Sequence, residues 1–264
     1  MTARFARLAS PTGEIMWVRL DSDRGSRLEA PPWLAETTGT PLDGAFDELG
    51  HWTLPGSVRL APVQPSKILC VGRNYLDHAK ELGNEVPPEP MLFFKPPSSI
   101  IGPSSTITLP PRSISERVDH EAELAVVIGK RLSRASRDEC EAAIFGLTIA
   151  CDVTARDLQK KDGQWWRAKG MDTFCPVGPV LVAGLSSSDL TIECRVNGQL
   201  RQRGSTADMI FSIGRVLEHI SAVMTLEPGD LVLTGTPPGV GPLTSGDRIA
   251  IEISGIGLLE ETVA

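Results

Sequence analysis

At 264 residues, 41% hydrophobic and 22% charged, the chain has length for one or two domains with a sizeable core, which excludes a disulfide-held miniprotein and a disordered tail. Its formal net charge of −7, with no run of basic residues, lacks the electrostatic footprint for phosphate backbones or anionic membranes, so neither nucleic acid nor a membrane is an expected partner. The 5 cysteines form no CxxC pair and sit mostly in apolar surroundings, which reads as reduced structural thiols. MTARFARLASPTG carries no continuous apolar segment, and no uncharged apolar run reaches about 18 residues, so a cytoplasmic protein is expected.

Residues 1–62 read as a small N-terminal domain. EIMWVRL is a strand bounded by the PTG turn, PPWLAETTG a loop or helical turn, and GHWTLPGSVRLAP a closing strand. The main body, 63–264, opens with KILCVG, a short apolar run ending in glycine that reads as a buried strand. DHAKELG follows as one or two helical turns closed by Gly83, and the prolines and acids of GNEVPPEP discourage regular structure; a short helix beside such a loop suits a lid. After MLFFKPPSS come the strand HEAELAVVIG, the helix SRDECEAAIFG and the strand LTIACDVTA. GPVLVAG, the hairpin LTIECRVNGQLRQRG, the helix MIFSIGRVLEHISAVMT, DLVLTGTPPGVG and GDRIAIEISGIG complete the chain. Strands outnumber helices without regular alternation, which predicts a β-rich α+β fold and argues against a doubly wound sheet or a (β/α)8 barrel.

Chemistry concentrates in HEAELAVVIG. As a strand, it places Glu121, Glu123, Ala125 and Val127 on one face and His120, Ala122, Leu124, Val126 and Ile128 on the other. Two carboxylates at i,i+2 lie roughly 6–7 Å apart and repel by about 2–3 kcal/mol at an effective dielectric of about 20, so something must offset them. Solvated strand-end glutamates are the plain alternative. Asp152 interrupts the apolar run of FGLTIACDVTARDLQ, where an ionised carboxylate is costly unless paired or metal-bound. A buried salt bridge would suffice; three converging carboxylates would instead make a hard oxygen donor set suited to Mg2+ or Mn2+.

Six dispersed motifs, GRNYLDH (72–78), FFKPPSS (93–99), HEAELAVVIGK (120–130), CDVTARDLQ (151–159), RAKGMDTFCPVGP (167–179) and TGTPPGVG (234–241), together resemble the fumarylacetoacetate hydrolase superfamily over about residues 66–264. The N-terminal module resembles the extra domain of the bacterial 2-hydroxyhepta-2,4-diene-1,7-dioate isomerases. The resemblance implies a mixed-sheet β-roll of α+β character, a homodimer and a Mg2+ or Mn2+ site on Glu121, Glu123 and Asp152. It places a catalytic lid pair on His78 and Glu81, which share a helical face at i,i+3, and assigns Lys169 to enolate stabilisation and Arg156, Gln159 and Thr236 to substrate binding. A solvated charge is the plain alternative for Arg156 and Lys169. Trp165 and Trp166 read as packing or interface residues, and His219 as a helix-surface or packing residue.

The implied substrate is a small 2-oxo acid, an acylpyruvate or a hydroxydienoate. The first expectation is hydrolysis of a carbon–carbon bond, with His78 activating water and a metal-bound pyruvate enolate leaving. The alternatives are isomerisation of the hydroxyheptadienedioate type, and decarboxylation or tautomerisation of oxaloacetate. A non-catalytic metal-dependent 2-oxo acid binder is the alternative of a different class.

Overall fold

The structure is a computed structural model and describes residues 2–21, 25–34, 40–42, 45–46, 52–81, 83 and 86–264. Parts of the expected N-terminal loop (35–39), of the closing strand (50–51) and of the loop after the lid helix (84–85) lie outside the described residues.

The fold is α+β, with mixed sheets and few helices. Among the described residues the central sheet has 12 strands; ten run, in spatial order, through Thr40–Leu42, Gly25–Leu28, Ile15–Leu20, Ala3–Ala9, Cys175–Ala183, Ile144–Cys151, Ala122–Ile128, Leu231–Leu233, Ile68–Gly72 and Met91–Lys95, while Val58–Leu60 pairs with Ala3–Ala9 and Ile100–Ile101 with Cys175–Ala183 off this path. Most pairings are antiparallel, but Leu231–Leu233 runs parallel to Ile68–Gly72 and Ile100–Ile101 parallel to Cys175–Ala183. The N-terminal strands therefore extend the same sheet, with Ala3 opposite Ala183 and Phe5 opposite Leu181.

Period-2 alternation along Ala122–Ile128 divides the core. Leu124, Val126 and Ile128 join one apolar cluster, while Ala125 and Val127 join another on the opposite face, and all are fully buried. Each buried Leu, Ile or Val contributes roughly 1.5–3 kcal/mol relative to exposure. The first cluster is covered by the helix Ile213–Val223, whose Ile213, Val216, Leu217 and Ile220 recur on one face; Ser212 caps it by accepting the Arg215 N–H. That helix begins four residues later than the sequence suggests. Similarly, Ser136 and Glu139 form a capping box on Arg137–Ala142, but the chain leaves that helix before the predicted AIFG, because Ile144 pairs opposite Ile128. The predicted hairpin is present, Thr191–Val196 with Gln199–Ser205, turning at Asn197 and Gly198 with φ of 52° and 77°. All five cysteines are buried and free. No helix among the described residues is long and apolar enough to cross a membrane.

Candidate active site

The acids meet because the predicted strand HEAELAVVIG is interrupted at Glu121. Val118–His120 pairs with Thr154–Ala155 and Gly241–Pro242, whereas Ala122–Ile128 pairs with Ile144–Cys151. Glu121 sits at the switch, and its carbonyl accepts the Asp152 N–H at 2.8 Å, which ties the two acid-bearing segments together. One oxygen from each of Glu121, Glu123 and Asp152 lies within 4.8 Å of the others, all three side chains being buried.

Cations knit this cluster. Lys169 Nζ donates to Glu121 Oε2 at 2.8 Å and to Asp152 Oδ2 at 2.5 Å. Lys95 Nζ, fully buried, donates to Asp152 Oδ1 at 2.6 Å and to the Val153 carbonyl at 3.2 Å. Arg156 bridges Glu121 Oε1 at 2.6 Å and Asp119 Oδ2 at 2.9 Å, and its third nitrogen donates to Gln159 Oε1 at 2.6 Å. The helix Trp166–Lys169 comes close enough because Gly170 has no side chain; a Cβ there would stand 2.6 Å from Pro96, the residue after Lys95. Arg156 and Gln159 both lie on the helix Arg156–Lys161 that leaves the Asp152 segment.

Electrostatically the three acids differ. Burial alone would raise Glu121, but Lys169 and then Arg156 outweigh it and hold this carboxyl well below its usual range. Glu123 is pushed well above, by burial first and then by the Asp152 and Glu121 charges, against Lys169 and the Gly235 N–H, which donates to Glu123 Oε2 at 2.6 Å. Among the described residues no ion pair includes Glu123. Lys169 loses charge stability by burial and regains more from Asp152 and Glu121, so it stays protonated. A buried all-carboxylate set with one acid short of positive charge fits a hard dication, and these residues could hold one.

A cavity of about 560 Å³ opens onto the cluster, walled by Glu121, Glu123, Arg156, Gln159, Lys169 and Thr236, with Asp152 behind them. His78 and Glu81, on the helix Leu76–Glu81, line the same cavity, with His78 Nδ1 3.3 Å from Glu81 Oε2. Glu81 also accepts the Gly239 N–H at 3.1 Å, which joins this helix to the TPPGVG loop. The structure thus brings every sequence-nominated residue to one place. Thr236 arrives with its hydroxyl already committed, donating to the Ala122 carbonyl at 2.8 Å and accepting the Gln202 amide at 2.7 Å.

Sequence reasoning missed several participants. Lys95 lay inside a quoted motif without a role. Asp119 orients Arg156, and Gln202 holds the Ala122 N–H, His120 and Thr236 together. Trp165, expected as a packing or interface residue, packs edge-on against Phe93 with ring centroids 5.3 Å apart and lines the cavity as well; Trp166 is exposed. A lysine ending an apolar run before two prolines was the one available signal for Lys95.

The family model described as Fumarylacetoacetate (FAA) hydrolase C-terminal matches residues 67–264. The chain belongs to the fumarylacetoacetate hydrolase family. It is 47% identical over 233 residues to the oxaloacetate tautomerase YisK of Bacillus subtilis, covering 82% of this chain and 77% of that protein. The solved structure of a 5-carboxymethyl-2-hydroxymuconate delta-isomerase from Mycobacterium smegmatis superposes with a TM-score of 0.87 at 41% identity, over 99% of both chains. A 2-hydroxyhepta-2,4-diene-1,7-dioate isomerase from Mycobacterium marinum does so with a TM-score of 0.84 at 41% identity, over 99% of this chain and 98% of that one.

Proposed function

We propose that this chain is a cytoplasmic, homodimeric, divalent-metal-dependent enzyme that binds a 2-oxo acid, develops its enolate and hydrolyses a carbon–carbon bond of an acylpyruvate. Residues 63–264 carry the site, and residues 1–62 form a small domain appended to its sheet. The observation that carries the reading is one cavity whose wall holds Glu121 and Glu123 of the buried acid cluster together with the His78–Glu81 pair.

Glu121, Glu123 and Asp152 would hold Mg2+ or Mn2+, which supplies a Lewis acid and a template for a carboxylate and its neighbouring oxygen. Lys169 and Arg156 keep Glu121 ionised and offset charge that grows on the substrate as the enolate develops. With its hydroxyl engaged, Thr236 offers its backbone N–H to the substrate carboxylate. Gln159 accepts from Arg156 and so turns its amide N–H groups to donate. His78, oriented by Glu81, takes a proton from water; the hydroxide adds to the distal carbonyl, and the electron pair of the broken bond departs as pyruvate enolate.

The names of the relatives favour a second reading at the same residues: keto–enol tautomerisation of oxaloacetate, or isomerisation of a hydroxydienedioate. Acylpyruvates, oxaloacetate and a hydroxydienedioate assayed with Mg2+ separate the two readings. Hydrolysis should fall roughly 10²–10⁴-fold in His78→Ala, and full hydrolytic turnover there would remove the pair from the mechanism. Activity on none of the compounds would leave a 2-oxo acid binder.

A further inference from the structure

Two aromatic doublets, Phe93–Phe94 and Trp165–Trp166, face a second cavity of about 480 Å³, walled by all four rings together with Met91 and Leu92. Among the described residues no charged side chain lines it. Phe93 and Trp165 also line the catalytic cavity, so the two spaces share a wall. Phe94 and Trp166, the second member of each doublet, line the outer of the two and are exposed.

The shared wall is held in register with the acid cluster. Phe93 stands two residues before Lys95 on the strand Met91–Lys95, hence on the same face, and Lys169 Nζ lies 4.9 Å from the centre of its ring. Trp165 precedes the helix Trp166–Lys169, and its carbonyl accepts the Lys169 N–H at 2.9 Å. Gly72 leaves room for this packing, since a Cβ there would stand 3.4 Å from the Trp165 ring and 2.5 Å from Met91. The elements that bring Lys95 and Lys169 to the floor therefore also carry the aromatic wall. Exposed aromatic side chains grouped around a concave apolar surface mark a binding site, whereas scattered ones do not. Ligand sites combine such a surface with a few convergent polar groups, and here the polar groups lie in the catalytic cavity and the apolar surface beyond its wall.

We propose that the outer cavity is a tail subsite, in which Phe94 and Trp166 receive the uncharged alkyl or aryl end of a 2-oxo acid whose head lies on the catalytic floor. A chain long enough to run along Phe93 and Trp165 is favoured over one that stops short of them. This rests on the reading of the floor as a 2-oxo acid site, and it adds an apolar distal end to the substrate.

The test is binding in Mg2+, read by calorimetry along the straight-chain series from 2-oxobutanoate to 2-oxooctanoate, with 2-oxo-4-phenylbutanoate beside it and oxalate as the head alone. Wild-type affinity should rise about two- to fourfold for each methylene that leaves water, so the eight-carbon acid should exceed 2-oxobutanoate by about tenfold or more. Trp166→Ser and Phe94→Ser, both at exposed positions, should each cut that ratio by about threefold or more, while Trp166→Phe keeps most of it. The 2-oxooctanoate complex should also shield a tryptophan from acrylamide quenching that the oxalate complex leaves open, and Trp166→Phe should lack the difference. A flat series in wild type, or an undiminished rise in both serine variants, overturns the subsite. The other occupant of such a surface is a second copy of the chain: a dimer that Trp166→Ser dissociates in sedimentation, with the chain-length ratio unchanged, overturns it too. Oxalate separates the two levels. If it binds while the series stays flat, the tail subsite alone falls; if it does not bind, the 2-oxo acid site falls and the subsite with it.

Discussion

The floor of the cavity and the far strand at Glu261 both bury carboxylates, and they meet the cost of burial in opposite ways. On the floor, Glu121 and Asp152 are surrounded by Lys95, Lys169 and Arg156, and Glu121 opens onto a cavity. Glu261, in the strand Gly257–Val263, is 4% exposed; its Oε2 accepts the Ser105 N–H at 2.7 Å and its Oε1 has no hydrogen-bond partner among the described residues. Burial pushes Glu261 up to about 9, against the Ser105 N–H and Arg59. Burial of an acid is therefore no marker of a site in itself; the marker is burial together with converging cations, a charge deficit and room for a ligand.

The sharpest way to break this contrast is to remove a cation from the floor. Lys95→Met strips Asp152 of one of its two lysines and leaves a buried charge under-compensated, so stability should fall by about 3–5 kcal/mol in chemical denaturation. Arg131→Met, at the exposed pair with Glu227, should cost no more than about 1 kcal/mol. Similar losses in both variants would mean that the cation network does not hold the floor.

A second measurement asks which acid wants a dication. Mg2+ at 100-fold above its Kd should stabilise wild type by about 2.7 kcal/mol through mass action. Glu123→Gln should abolish the effect and Glu261→Gln should retain it. No Mg2+ or Mn2+ shift in wild type would remove the metal from the proposed mechanism.

How much of this was readable beforehand depends on how local the cause is. Asp152 was legible because a charge inside a β-branched apolar run is costly wherever the run pairs, and Glu121 and Glu123 as a pair because strand alternation sets i and i+2 on one face. Lys95 was not, because a lysine before two prolines reads as a solvated strand end, and the acid that makes it a core residue lies 57 positions later. The break at Glu121 was equally hidden. It arises because the segments on its two sides find different partners, Thr154–Ala155 and Gly241–Pro242 on one side and Ile144–Cys151 on the other. Which of the two tryptophans packs was hidden for the same reason: adjacent tryptophans are locally equivalent, and only tertiary packing turns Trp165 to Phe93 while Trp166 faces solvent.

The last contrast is a slope rather than a loss. Free carboxyls of this type ionise near 4.5, whereas Glu261 in the fold keeps its proton to about 9. Below the lower value both states are protonated and the contribution of the group is fully present. Between the two values the unfolded chain releases a proton that the folded chain retains, so stability falls as pH rises, by at most about 1.4 kcal/mol per unit. Glu261→Gln, neutral throughout, should lose that slope, and the gap between variant and wild type in denaturation midpoint should move in favour of the variant from about pH 5 to about pH 8. Parallel curves would mean that Glu261 is ionised in the folded chain and that Arg59 carries its charge, which would make the strand edge a second buried ion pair and erase the contrast with the cavity floor.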